Sequence, residues 1–217
     1  MTPGIVVYLD THRVQFYEPR GGAMVTLDLT EAMVRDGDVV DRGGFQAAIQ
    51  SVLRQHKLSS VPAGIVVSED MCFWQDLTGN ESQKEAQVQQ FLERVPFDAT
   101  LSRRYVFGEK EVVLAVPKSL YEPLRQILAQ EGFGIMFVVP SFVLGMQGKR
   151  WLDVEMGKHA ASTSAALIAH SIVGKEDDSG VATPTERMLF SKKQRPAILI
   201  AIFAILAVVL FTLIIRQ

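Results

Sequence analysis

"GIVVYLDTHRVQFYEPRGGAMVTLDL", Gly4–Leu29, decides the fold. Ile5–Leu9 is an unbroken apolar run, the pattern of a central strand covered on both faces. "RVQFYE" then alternates, with Val14 and Phe16 on one face. "PRGG" (Pro19–Gly22) is a turn, and "AMVTLDL" alternates again. Together they predict a three-strand meander. Asp10 closes the first strand and is expected to hydrogen-bond the turn that follows.

Outward from the meander, strands and helices intermix. "DGDVVDRGG" is a loop with a short strand at best. Phe45, Ile49, Val52 and Leu53 recur at helical spacing, so an amphipathic helix is expected over Gly44–Lys57. "AGIVVSED" is a strand, with "MCFWQDL" expected as its partner. Asn80 or Ser82 can cap the next helix, and Ser82 with Glu85 fits a capping box. Val88, Phe91, Leu92 and Val95 form its stripe, and Pro96 ends it. "LSRRYVF", "GEKE" and "VVLAVP" read as strand, turn, strand. Leu120, Leu124, Ile127 and Leu128 mark a third helix with Gly132 at its C′ position. "FGIMFVV" is one more strand, and Pro140–Ser141 open a short helix through Met146. The class is α/β.

Beyond Lys149 the composition changes. "HAASTSAALIAHSIV" fits a helix and "GKEDDSGVATPTER" a tether. Ala197–Ile215 carries no charge, and Thr212 is its single polar residue. These residues make a helix of about 28 Å, close to the ~30 Å hydrocarbon core of a bilayer. A buried core helix of a small domain would keep a polar stripe. Arg187, Lys192, Lys193 and Arg195 precede the span and Arg216 follows it. The positive-inside rule therefore puts residues 1–195 in the cytoplasm, on a single-pass anchor in the inner membrane. "MTPGIVVYLD" has no basic n-region or long apolar h-region, so no cleavable leader is expected.

Net charge is −2, so no basic field points to nucleic acid. Cys72, the single cysteine, excludes a disulfide within the chain. His12, His56, His159 and His170 lack metal-ligand spacing. Asp10 and His12 share a strand face without a nucleophile beside them. Cys72 beside Trp74 reads as half-buried strand. No metal and no cofactor is expected.

The order of pieces over residues 4–147 resembles the first half of the PilM family, actin-like assembly proteins of type IV pili related to GspL and FtsA. The resemblance lies in the meander, "DGDVVDRGGFQAAIQSVL", the strand ending at Ser68, "ERVPF" (Glu93–Phe97), the strand-helix-Gly step over Val113–Gly132, and "VVPSFVLG". It implies an actin-like first subdomain (1–60) and an inserted α/β subdomain with a return helix (61–148). A helix or flexible linker (149–195) and the transmembrane helix (196–215) follow.

Family members bind ATP between two halves, on loops whose glycines let backbone N–H groups approach phosphate. Here the first-strand loop is "LDTHRVQ": Asp10 matches the acidic position, no glycine follows, and Arg13 stands near the phosphate-contacting position. "DVEMGKHAAS" is only a faint match to the second acidic-Gly loop. The phosphate loop is degenerate, and a non-catalytic scaffold is expected. The resemblance implies a PilN-like inner-membrane partner and pilus motor components, besides the lipid bilayer, and leaves a homo-oligomer open. The expected partner surface is the cleft between the subdomains, around Phe45, Phe73, Trp74, Phe91 and Tyr105, which are also ordinary core candidates. The alternatives are an FtsA-like anchor for a division or cell-shape filament, and an actin-like ATPase half completed by another chain.

Overall fold

The protein is described by a computed structural model covering residues 2–58, 61–145 and 150–173. β1 (Ile5–Leu9), β2 (Arg13–Glu18) and β3 (Ala23–Asp28) form the antiparallel meander. β4 (Val34–Arg35) and β5 (Asp38–Val39) make a minimal hairpin. α1 spans Arg42–Gln55, where the Asp41 side chain accepts from Gly44 N–H at 2.9 Å and so satisfies an otherwise orphaned helix donor.

The central sheet is completed by β6 (Ala63–Val67) and β10 (Ile135–Pro140), both parallel to their neighbours, in the order β10-β6-β1-β2-β3. Between them come β7 (Phe73–Leu77), α2 (Glu81–Arg94), β8 (Thr100–Phe107), β9 (Lys110–Pro117) and α3 (Lys118–Gln130). β7, β9 and β8 form a separate three-stranded antiparallel sheet in that order. Ser141–Leu144 is a 3-10 turn, and α4 (Val154–Ser162) and α5 (Ser164–Ala169) follow.

β1 is buried along its whole length because the central sheet is covered on both faces. Ile5, Val7 and Leu9 join Val14, Phe16, Ile65 and Val67 over α1 and α3. Val6 and Tyr8 face the other way, with Tyr17, Val66 and Phe137, against Met156, Ala160, Ala161 and Leu167 of α4 and α5. Gly64 in β6 makes room for the Phe137 ring, where a Cβ would lie 2.1 Å from Cζ. α3 ends in a Schellman motif: Phe133 N–H reaches Leu128 O at 2.9 Å, Gly132 N–H reaches Ala129 O at 3.0 Å, and Gly132 takes φ +83°.

Two expectations are corrected. β7 pairs with β9 of the small sheet and not with β6. The turn Ser68–Cys72, where Cys72 N–H bonds Glu69 O at 2.9 Å, carries the chain out of the central sheet before β7 begins. β6 and β10 extend the central sheet on β1's side, so the expected boundary at residue 60 falls between strands of one sheet. The capping box of α2 belongs to Asn80 and Gln83, not to Ser82 and Glu85: Asn80 Oδ1 accepts from Gln83 N–H at 3.0 Å and Gln83 Oε1 from Asn80 N–H at 2.9 Å.

Candidate functional site

In an open α/β sheet ligands gather beyond the carboxyl ends of the parallel strands. Here those ends are Asp10 after β1, Ser68 after β6 and Ser141 after β10, all buried. The β1–β2 connection is a two-residue turn, Thr11–His12, with Asp10 opposite Arg13. Its main chain is turned inward. His12 N–H donates to Asp10 Oδ1 at 3.0 Å, Asp10 N–H to Arg13 O at 3.0 Å, and Leu29 N–H to His12 O at 2.7 Å. The Thr11 hydroxyl donates to the same carboxylate oxygen at 3.3 Å. Asp10 is thus spent on closing the turn.

The β6 end is similarly closed. Ser68 Oγ accepts from Asp70 N–H at 3.3 Å, Ser68 N–H donates to Leu9 O at 2.8 Å, and Cys72 Sγ–H points to Ser68 O at 3.3 Å. The Ser68 hydroxyl also bonds Tyr8, whose phenol is pushed up to about 12 chiefly by burial. "DVEMGKHAAS" forms α4, not a loop: Asp153 Oδ1 caps it by accepting from Met156 N–H at 2.8 Å.

The five expected partner residues do not converge. Phe45 on α1 is fully buried against the central sheet, and Tyr105 on β8 is buried in the same core. Phe91 lies in a separate core between α2 and the small sheet, with Leu77, Val95, Val113 and Ala115. Phe73 and Trp74 remain exposed on the edge strand β7, at 42% and 55%. Alternation splits them. Phe73 lies on the α2 side, edge-on to Phe97 with centroids 5.0 Å apart. Trp74 lies on the opposite side, in register with Leu114 and Arg103.

On that opposite face the sequence reading missed Phe107, and beside it Phe142. Along this face run Trp74 and Asp76 of β7, Val112 and Leu114 of β9, and Arg103, Tyr105 and Phe107 of β8. Phe107 is 41% exposed, stacks on Tyr105 at 5.9 Å, and meets Phe142 edge-on at 5.5 Å. Phe142 also lies 5.9 Å from Tyr105, edge-on. Period two from Tyr105 finds Phe107. Phe142 sits in a 3-10 turn and gives no periodic signal. Arg150 Nε lies 3.7 Å from Asp70 Oδ2, between two exposed side chains. The face is a shelf whose exposed ends are Trp74 and Phe107, while Tyr105, Val112 and Leu114 between them are buried in the main core.

Among the described residues there is no group of three His, Cys, Asp or Glu placed to hold a metal ion. Among the same residues no helix is long and apolar enough to cross a membrane. The expected span 196–215, and Arg187, Lys192, Lys193 and Arg195 before it, lie outside the described residues.

No protein-family model matches the sequence, and no curated protein matches it. Among solved structures, the chain is similar to a PilM–PilN type IV pilus biogenesis complex, at 12% identity and TM-score 0.43 over 66% of this chain and 48% of that one. It is similar to a Bacteroides thetaiotaomicron protein with an actin-like ATPase fold, at 11% identity and TM-score 0.40 over 67% and 55%. It is also similar to the cytoplasmic domain of EpsL, an inner-membrane component of the Vibrio cholerae type II secretion system, at 11% identity and TM-score 0.42 over 67% and 60%. The chain spans from about half to three-fifths of the length of these structures.

Proposed function

We propose that this chain is a non-catalytic, actin-like half-domain, tethered to the inner membrane by residues 196–215. It holds cytoplasmic segments of partner proteins in a type IV pilus or related secretion platform. A PilN-like inner-membrane protein is the first expected partner, and components of the pilus motor the next.

The observation that carries the non-catalytic reading is the β1–β2 turn. A phosphate cradle needs several backbone N–H groups pointing outward from a glycine-containing loop. Here the connection is two residues long and lacks glycine, and the Asp10 and His12 N–H groups bond within the turn. The central sheet also has both faces buried by α1, α3, α4 and α5 of the same chain. The binding reading rests on Trp74 and Phe107, large apolar side chains held in the open on one face of the small sheet.

The test uses the full-length chain in detergent. Titration with a peptide copying a PilN-type cytoplasmic N-terminal segment is expected to saturate, and the Trp74→Ala/Phe107→Ala variant to lose affinity by about tenfold or more, as for an interface anchor pair. Titration with MgATP is expected to show no saturable binding. Micromolar ATP affinity overturns the non-catalytic reading and favours an ATPase half completed by another chain. Equal peptide affinity in the wild type and the double variant removes the shelf as the binding surface.

A further inference from the structure

The two outer strands of the central sheet differ at their free edges. β10 is covered: Ile172 N–H donates to Val138 O at 2.7 Å, and Val138 N–H to Ser171 Oγ at 2.9 Å. β3 pairs with β2 alone. The ladder decides which of its main-chain groups face outward. Asp10 N–H bonds Arg13 O, so Arg13, Gln15 and Tyr17 turn their main chain toward β1. Val14, Phe16 and Glu18 turn theirs toward β3, and Leu29 N–H on His12 O continues the same alternation. Leu27, Val25 and Ala23 are their partners. Met24, Thr26 and Asp28 therefore point N–H and C=O away from the sheet, and among the described residues nothing bonds these groups.

An edge strand ordinarily carries a device against pairing with another chain, such as a proline, a lysine, a bulge or a cover. β3, AMVTLD, has no proline and no lysine, and its register with β2 runs without a bulge from Asp28 to Ala23. Thr26, the middle of the three outward positions, is exposed. The positions are evenly spaced about it, so the edge is its own complement. A second copy laid antiparallel on a two-fold axis at Thr26 sets Thr26 against Thr26, and Met24 against Asp28 on both sides. All the outward N–H and C=O groups of both strands are then paired, and Thr–Thr is a favourable cross-strand pair.

Charge does not oppose this arrangement. The two Asp28 carboxylates lie four residues apart along the strands, about 13 Å, beyond the Debye length at physiological salt. Nor does α1, which packs against both α3 and β3. Gln46 and Gln50 hold α1 to Gln130 and Glu131 at the end of α3, at 3.2 and 2.8 Å. Helical spacing puts Gly44, Ala48 and Ser51 on the side away from α3, where small uncharged side chains leave room for a second α1. An axis perpendicular to the sheet also sends both chains out of the domain on the same side after Val173, as two anchors in one bilayer require.

We propose that β3 is a homodimer edge: two copies of this chain pair antiparallel through Met24, Thr26 and Asp28 into one continuous sheet. One strand pair is smaller than the ~1,200 Å² of a stable interface, so association is weak in free solution. It is favoured where the anchor proposed above concentrates the chains. That concentrating effect rests on the anchor, and the edge itself does not.

The test uses the full-length chain in vesicles of phosphatidylethanolamine and phosphatidylglycerol, with Cys72→Ala to remove the native thiol. Thr26→Cys in that background is expected to give a disulfide-linked dimer under mild oxidation, since Cα atoms of a hydrogen-bonded antiparallel pair lie about 5.5 Å apart. Ser162→Cys, exposed on α4, is expected to stay monomeric and reports collision alone. Energy transfer between donor- and acceptor-labelled Ser162→Cys chains measures association with the edge intact. Thr26→Pro removes an outward N–H and no bond to β2, and is expected to weaken association at least about tenfold. If that variant does not fold, Thr26→Lys decides, because it keeps the main chain and sets two ammonium groups together at the axis. A folded Thr26 variant that associates like its parent overturns the pairing, and so does Thr26→Cys linking no faster than Ser162→Cys. Alkaline carbonate extraction of the same vesicles reports the anchor separately: chains that cross-link but wash off lose the tether and keep the pairing.

Discussion

The side chain of Gln15 on β2 bonds both main-chain groups of Leu152, a residue 137 positions away in sequence. Leu152 N–H donates to Gln15 Oε1 at 2.8 Å, and Gln15 Nε2 donates back to Leu152 O at 3.4 Å. The amide does the work of a strand partner for a segment that joins no sheet, and both residues are buried. The contact fixes where the chain enters α4, and so how α4 covers the second face of the central sheet. Gln15→Leu keeps the bulk but leaves the Leu152 N–H and C=O buried without partners. At about 1–3 kcal/mol for each orphaned group, destabilisation of about 2–4 kcal/mol is expected. Urea unfolding of the full-length chain measures it, and a shift under about 0.5 kcal/mol would show that water replaces the amide.

α4 approaches the sheet closely because Gly157 has no side chain. A Cβ there would lie 2.4 Å from Cδ1 of Tyr17. On helix propensity alone, Gly157→Ala would stabilise by about 1 kcal/mol. The overlap with a rigid, buried ring opposes this by about 1–3 kcal/mol, so net destabilisation is expected. The Tyr17 hydroxyl is buried with no hydrogen-bond partner. Tyr17→Phe should therefore be neutral or slightly stabilising, since it removes a polar group already stripped of water. Tyr17→Leu should relieve the cost of Gly157→Ala in the double variant, a coupling that a double-mutant cycle reads directly.

The same contacts show which parts of the structure were legible in the sequence. Val14 and Phe16 share a face of β2, and Ile5–Leu9 is buried throughout, as a run without alternation predicts. Gly132 sits at the C′ position that its place after the Leu120–Leu128 stripe indicated. Periodicity identified β7 as a strand but could not name its partner. A strand's own pattern specifies its faces and not its neighbour, and the preference for pairing sequential strands pointed to β6. The turn at Ser68–Cys72 overrode that preference. Phe45, Phe91 and Tyr105 are buried for a related reason: they are aromatic side chains on apolar stripes, and such stripes face cores. Trp74 was separable only by edge position, a property of sheet order. Contacts such as Gln15–Leu152 or Arg103–Ala169 join side chain to main chain at long range, and no local pattern encodes them.

Cys72 provides a check on the packing at the end of β6. The residue is half-buried, yet its thiol is pushed up to about 12, first by burial and then by Glu69 and Asp70. The thiolate is the reactive form, so at pH 8 about one molecule in ten thousand would carry it. In the native full-length chain, thiol-disulfide labelling at pH 8 is expected to be slower by orders of magnitude than after unfolding in urea. Labelling at the rate of the unfolded chain would show that the Ser68–Cys72 turn is open in solution.

The small sheet and α2 carry their own pH dependence. Arg104 on β8 bridges Glu81 of α2 at 2.5 Å and Glu111 of β9, and Lys84 of α2 meets Glu111 at 2.6 Å. Lys84, then Arg104, hold the Glu111 carboxyl below the usual range, and Arg104 does the same for Glu81. A carboxyl with a lowered folded value binds fewer protons folded than unfolded. Its contribution is therefore complete above the unfolded value of about 4.3 and is lost as pH falls through the folded one. These side chains are solvent-screened, so the effect is modest and salt-sensitive. Arg104→Ala should accordingly lower stability at pH 7, with the gap from wild type narrowing as pH drops below about 4.3 and shrinking again in 1 M NaCl. Melting temperatures of the two proteins across pH 3 to 7 measure that gap. A difference unchanged at pH 3 would show that Arg104 acts through the packing of its aliphatic stem and not through its charge.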